Sequence, residues 1–268
     1  MSFSIKGKTA IVTGAANGIG LAISRHFVNQ GANVMMADRD EEQLKKEVAF
    51  LSSKDDKDGQ AKCFTCDLRE RLSHTNLLSA TIDFFGKVDI LVNASRQVTT
   101  MDPIDYNDDN VITMLDQNLM SSLRLTQLVS KRMIKQAKDL ESTGSILNLS
   151  SIAARRTRPG LMGYSISSAA LNQMTRTMAI ALAPYNIRVN ALSFGSVMSE
   201  SLKNVLKEDQ HLRGEIIKNT PLGRIAPANE IAQAAQFLCS DASAFVTGEI
   251  MTIDGGRSLL DPVKIGAH

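Results

Sequence analysis

Residues Thr13 to Gly20 read TGAANGIG, following the β-branched run KTAIVTG and opening the helical period of NGIGLAISRHFVNQG. Glycines at Gly14, Gly18 and Gly20 let the chain turn sharply and let a phosphate or the next strand approach the backbone. The helix N-terminus adds unpaired N–H groups and a partial positive charge. Together they predict a pyrophosphate cradle between a first strand and a first helix. Glycines also serve plain strand-to-helix connections, so the loop alone is a weak signal. Its partner is Asp38, which ends the second strand ANVMMAD 18 residues past Gly20. There a carboxylate accepts hydrogen bonds from the adenosine ribose hydroxyls and repels a 2′-phosphate. NAD is therefore favoured over NADP, although the Arg39 guanidinium next door would suit that phosphate. The competing role for Asp38 is to cap the helix that begins near Glu41.

Outward from this loop, short β-branched runs alternate with stretches of helical period, the pattern of βα units around a parallel sheet. The helix begun at the loop closes at Gly31, and EEQLKKEVAFL and a charged turn SSKDDKDG follow the second strand. AKCFTCD and KVDILVNA read as strands three and four, with RLSHTNLLSATIDFF helical between them. A long helical stretch runs from about Asn110 to Ala137, and GSILNLSS, IRVNALS and GEIMTID make strands five to seven. YSISSAALNQMTRTMAIALA is a helix ended by Pro184, and PANEIAQAAQFLCS is another. The segment between about 195 and 222 is more irregular and would shape a substrate loop; Ser199 to Thr220 carries no legible chemical motif. With no repeat or linker, the reading is one doubly wound α/β domain over residues 1–268.

The 268 residues are 43% hydrophobic and 22% charged, with a net charge of +2, the balance of an ordinary globular protein. That charge gives no reason to expect a nucleic-acid partner. No basic segment leads into an apolar one at the start, and no run of about 18 apolar residues occurs, so the cytoplasm is the expected location, with no membrane partner. Cys63, Cys66 and Cys239 are too few for a disulfide framework and fit a reducing compartment. The CFTC spacing lacks a second ligand pair, and His26, His74, His211 and His268 are scattered, so no metal is expected.

The ordered motifs resemble those of the short-chain dehydrogenase/reductase family nearly end to end. TGAANGIG is similar to its TGxxxGxG loop, which implies cofactor contacts from Gly14, Asn17, Gly18, Ile19 and Gly20. Asp38 and Arg39 would meet the ribose, and CDL, with Asp67 and Leu68, resembles the acidic turn beside the adenine. VNAS matches the NNAG segment in part and brings in Asn93, Ala94 and Ser95. NIRVNALSFGSVMS resembles the strand-six segment, with Gly195 and Val197 at the cofactor. The family's active site is an Asn, Ser, Tyr and Lys set. Asn118 of LDQNLMS, Ser151 of LNLSSIAA (Ser150 is the lesser candidate) and Tyr164 of GYSISSAA match the first three. The resemblance implies that Tyr164 moves the hydroxyl proton and touches the cofactor, the serine holds the substrate oxygen and the asparagine supports a water relay.

The departures are as informative. The family's lysine, four residues after the tyrosine, grips the nicotinamide ribose and favours the phenolate; here that position is Ser168. SISSAALNQMT carries no cation at all, so Tyr164 is expected to be a poorer base. Ser95 replaces the glycine of NAG, and Phe194 replaces the proline before Gly195, altering the nicotinamide end of the pocket. ARRTRPG places Arg155, Arg156 and Arg158 on the substrate side, either as a solvated loop or as a fork for an anionic substrate together with Arg96 and Phe194.

Two functions follow. The first is an oxidoreductase moving a hydride between NAD and an alcohol or carbonyl through Asn118, Ser151, Tyr164 and Ser168. The second is a cofactor-binding homologue with little catalysis, acting as a sensor or partner subunit. The resemblance also implies a homodimer or homotetramer through the long helix after strand four and the tyrosine helix.

Overall fold

A computed structural model of the chain describes residues 2–53, 59–140 and 144–261. Most of the charged turn predicted at SSKDDKDG, and His268, lie outside the described residues. In chain order the elements are β1 (Thr9–Thr13), α1 (Gly18–Asn29), β2 (Asn33–Asp38), α2 (Glu41–Ser52), β3 (Ala61–Thr65), α3 (Arg71–Phe85) and β4 (Ile90–Asn93). Then come α4 (Asn110–Met114), a π-helical turn (Leu115–Met120), α5 (Ser121–Leu140), β5 (Gly144–Ser151), α6 (Met162–Leu182) and β6 (Ile187–Phe194). The chain continues with β7 (Val197–Met198), α7 (Glu200–Glu208), α8 (Gln210–Lys218), β8 (Ala226–Pro227), α9 (Ala228–Cys239) and β9 (Ile250–Ile253).

Seven strands form one parallel sheet in the order β3-β2-β1-β4-β5-β6-β9. The α/β reading and all seven strands expected from the sequence are observed. Side chains alternate across each strand, so β1 sends Ala10 and Val12 to one face and Ile11 to the other. The first face packs on α1 and α9 through Ile23, Phe27, Ile231 and Leu238. The second packs on α3, α5 and α6 through Leu77, Leu125, Val129 and Leu182. Covering both faces is why these strands read as continuous apolar runs. Strand order reverses between β1 and β4, and the crevice at the carboxyl ends of those two strands is where such a sheet binds ligands.

Two local expectations change. The segment expected to be irregular, about 195–222, contains α7 and α8. Ser199 Oγ accepts from Leu202 N–H (3.3 Å), and the Asp209 carboxylate accepts from His211 and Leu212 N–H, so each short helix has a capped start. The long helix after β4 is interrupted by the π turn, which contains Asn118. Such a turn re-aims the side chains within it.

Candidate active site

Thr13, the last residue of β1, clamps the switch point. Its Oγ1 accepts from the N–H groups of Ala94 (2.9 Å) and Ser95 (3.1 Å), tying the glycine loop to the end of β4. Gly14 has φ 63°, and a Cβ there would lie 2.8 Å from Ala94 O. A Cβ at Gly20 would lie 2.2 Å from Gly14 O. The loop therefore closes this tightly only with glycine at both positions. No side chain caps α1, whose first turn carries no acidic residue, so its leading N–H groups face the cleft as donors for an anion.

The cleft measures about 270 Å³ and is walled by Gly14, Asn17, Gly18, Ile19 and Gly20 on one side. Asp38 and Arg39 enter from β2, Asp67 and Leu68 from the turn after β3, and Ala94 and Ser95 from β4. Asp38 does not cap α2; Asp40 does, accepting from Gln43 N–H at 3.0 Å. Instead Asp38 Oδ2 accepts from Ala16 N–H (3.1 Å) and Oδ1 from Arg39 N–H (2.7 Å), which aims the carboxylate at the loop. Arg69 holds Asp67 by its side chain, with Nε 3.0 Å from both carboxylate oxygens, and lowers that carboxyl to about 2. Gln117, also in the wall, keeps a buried Oε1 with no partner among the described residues. An amide or hydroxyl of a ligand would satisfy it. Anion donors at one end, the Asp38 carboxylate beyond them and an orphaned acceptor make a donor set that fits a dinucleotide.

A smaller cavity of about 10 Å³ adjoins the cleft, and Ser95 and Arg96 line both. Asn93, Asn118, Tyr164 and Ser168 also line it. Asn118 Nδ2 donates to Gln97 O (2.9 Å), while Oδ1 accepts from Gln97 N–H (2.8 Å). The same Nδ2 donates to Ser167 Oγ at 3.2 Å, linking the loop after β4 to α6. Tyr164 is buried on the first turn of α6, and its hydroxyl accepts from Arg96 Nη1 at 2.7 Å. Ser168, one turn on, is buried too; its carbonyl accepts from Ser150 Oγ at 3.4 Å. Ser151 ends β5, where its Oγ accepts from Ala153 N–H (3.1 Å). Asn93 turns its amide inward, donating to Asn148 Oδ1 and Thr126 Oγ1.

The arginine segment is dispersed. Arg155 and Arg158 are exposed, and Arg156 donates to the carbonyls of Ser258 and Leu260 near the end of the described chain. Arg96 turns to Tyr164 and lays its guanidinium 4.4 Å from the centroid of the Phe194 ring. Gly195 N–H donates to Ile253 O at 3.2 Å, and Val197 is buried in the short β7–β8 pair. Burial, reinforced by the Asp38 and Asp67 carboxylates, pushes the Cys66 thiol up to about 12, far from a reactive thiolate. Sequence reasoning missed Thr13 as a clamp and Gln97, Gln117 and Ser199 as wall residues. Only Thr13 had a signal, as the polar end of an otherwise apolar strand.

A family model described as Enoyl-(Acyl carrier protein) reductase matches residues 14–258. The 7alpha-hydroxysteroid dehydrogenase of Escherichia coli K12 is 33% identical over 252 residues, covering 94% of both chains. The 3-oxoacyl-(acyl-carrier-protein) reductase of Thermotoga maritima is 31% identical over 255 residues, covering 94% of this chain and 98% of that one. Among solved structures, a 7alpha-hydroxysteroid dehydrogenase complexed with NADH and 7-oxo glycochenodeoxycholic acid superposes with a TM-score of 0.87 at 33% identity, covering 95% of each chain. With the glycine loop at the switch point and the tyrosine helix beside it, these relationships identify the chain as a member of the short-chain dehydrogenase/reductase family of oxidoreductases.

Proposed function

We propose that the protein is an NAD-dependent oxidoreductase that interconverts an alcohol and a carbonyl, with Tyr164 as the proton donor and acceptor. The observation that carries this reading is the continuity of the two cavities: the dinucleotide cleft shares Ser95 and Arg96 with the cavity that holds Tyr164, Asn118 and Ser168. The glycine loop and the α1 N-terminus hold the pyrophosphate, and Asp38 takes the ribose hydroxyls, which favours NAD over NADP. When bound, the nicotinamide supplies hydride transfer. The protein's own part is to fix the substrate oxygen and move its proton. Ser151 orients the oxygen, Tyr164 gives or takes the proton, and Asn118 holds the loop after β4 against α6. Positioned proton transfer of this kind contributes roughly 10² to 10⁴ in rate. The same reading makes the protein a cytoplasmic homo-oligomer that associates through α5 and α6.

A specific observation favours a second reading, a cofactor-binding homologue with little catalysis: α6 offers Tyr164 only Ser168 one turn on, a buried neutral group in place of a cation. Single-turnover absorbance with NADH or NAD⁺ across a panel of carbonyls and alcohols separates the two. Turnover in wild type that is lost in Tyr164→Phe supports the oxidoreductase. Cofactor binding with no turnover on any substrate supports the second reading, and no binding of either dinucleotide defeats both.

A further inference from the structure

Arg96 lies in the loop after β4, 68 residues before the tyrosine whose hydroxyl it reaches. Its backbone is pinned on both sides: Ser95 N–H donates to Thr13 Oγ1 (3.1 Å) and Gln97 N–H to Asn118 Oδ1 (2.8 Å). Its guanidinium lies over the Phe194 ring at 4.4 Å and over the Tyr164 ring at 6.0 Å. Among the described residues no carboxylate pairs with it, and it is half-buried. A guanidinium held in place without a counter-ion, donating to a phenol oxygen, is arranged to meet negative charge on that oxygen.

We propose that Arg96 is the positively charged positioning residue of the Tyr164 proton-transfer site, serving from the loop after β4 a need that α6 leaves unmet at Ser168. The assignment of Tyr164 as the proton group rests on the oxidoreductase reading; the Arg96–Tyr164 pairing does not. A hydrogen bond to the charged form of a group favours that form, and an ionised partner roughly doubles its strength. The other residues lining the tyrosine's cavity are neutral: Asn93 and Ser95 from β4 and its loop, Asn118 and Ser122 from the π turn and α5, Leu149 from β5, and Ser168 and Leu171 from α6. Among the described residues lining this cavity, Arg96 carries the formal charge alone. Arginine remains protonated throughout, so it gives up no proton itself. In the alcohol-to-carbonyl direction the substrate O–H bond breaks as the Tyr164 O–H bond forms, and a bound nicotinamide dinucleotide would take the hydride. In the other direction Tyr164 returns the proton, and Arg96 stabilises the oxygen left behind. The Phe194 ring beneath the guanidinium supplies a cation–π contact, so the aromatic residue in β6 supports the cation.

The chain has three tyrosines and no tryptophan, which makes the near-ultraviolet tyrosinate absorbance of the unliganded protein directly readable. The Tyr164 step is the difference between wild type and Tyr164→Phe. In Arg96→Gln that step is expected to move to higher pH, with Arg96→Lys restoring part of the shift. In turnover, Arg96→Gln lowers kcat by about 10²-fold with a much smaller change in KM, and its pH profile moves in the same direction. Arg96→Met, which keeps the apolar stem over Phe194, repeats the comparison should the glutamine variant fold poorly. A Tyr164 step unchanged in a folded Arg96→Gln or Arg96→Met protein overturns the proposal. So does a variant as active as wild type, the result expected of an arginine that merely fills the site. A shifted step with no turnover in wild type defeats the oxidoreductase reading and leaves the pairing standing. Tyr164-dependent turnover with an unshifted step does the reverse.

Discussion

Asn93 Nδ2 lies 2.8 Å from Asn148 Oδ1, so β4 and β5 are joined by side chains as well as by backbone. Asn93 also donates to Thr126 Oγ1 of α5 (3.0 Å), and Asn148 donates to Thr175 Oγ1 of α6 (2.9 Å). All four residues are buried. This ladder fastens the two helices of the tyrosine side to the sheet. A buried network of this kind is stable only while every member is satisfied. Asn148→Ala takes one partner from the Asn93 amide, which keeps Thr126 Oγ1, and one from the Thr175 hydroxyl, which keeps Leu171 O, and is expected to cost about 1–3 kcal/mol. A fall in the urea midpoint with an unchanged slope would show it.

Asp38 accepts from Ala16 N–H, so it shapes the loop as well as lining the cleft. Asp38→Ala is expected to weaken NADH about tenfold or more while affecting NADPH less, because the carboxylate that repels a 2′-phosphate is gone and Arg39 remains. Fluorescence titration with the two dinucleotides measures both affinities. Equal losses for both would contradict the assignment of Asp38.

Gly20 is packed against backbone rather than against a side chain that could move aside. Gly20→Ala drives a methyl into Gly14 O and is expected to cost about 1–3 kcal/mol through overpacking. Dinucleotide binding should fall by more than this stability loss explains, since the strain lies in the cradle itself. Thermal melts with and without NADH separate the two effects.

His74 is buried in α3, its Nε2 2.8 Å from the carbonyl of Leu68, a residue of the cleft wall. Burial, with a further push from Arg124 and against the pull of that carbonyl, lowers its pKa below the ordinary value of 6.5. The unfolded chain therefore binds a proton that the native state refuses, and stability rises with pH across that window. His74 contributes fully above pH 6.5, and the contribution is lost as pH falls from there through the depressed native value. His74→Gln should flatten this part of the stability profile, as read from urea midpoints between neutral and mildly acidic pH.

Ser168→Lys would place a long cation at a buried position in the cavity that Arg96 lines. Overpacking and like charge together are expected to cost about 1–3 kcal/mol, with no gain in turnover. A melt and a turnover assay on the one variant check both, and a strong gain in turnover would mean that the site had lacked a cation.

The wall of the larger cleft was legible because its determinants are local. TGAANGIG must be glycine-rich where the backbone turns and crowds, and Asp38 stands at a strand end that the period of ANVMMAD already marks. The tyrosine half was legible only in outline. The sequence locates Tyr164, Ser151 and Asn118 by their order, but it places Arg96 nowhere near Tyr164 and groups it with an arginine segment that the fold sends elsewhere.

Alternation of buried strands with amphipathic helices was enough, by itself, to determine a parallel sheet covered on both faces, and the glycine turn was enough to put a ligand cleft at its switch point. Periodicity and turn chemistry act between near neighbours, so they can be read along the chain. Which cation meets the tyrosine was decided only by the tertiary structure. Parallel strands β4 and β5 carry the Arg96 loop and α6 to the same edge of the sheet, while Thr13, Asn118 and Phe194 hold the guanidinium there through contacts that no local pattern encodes.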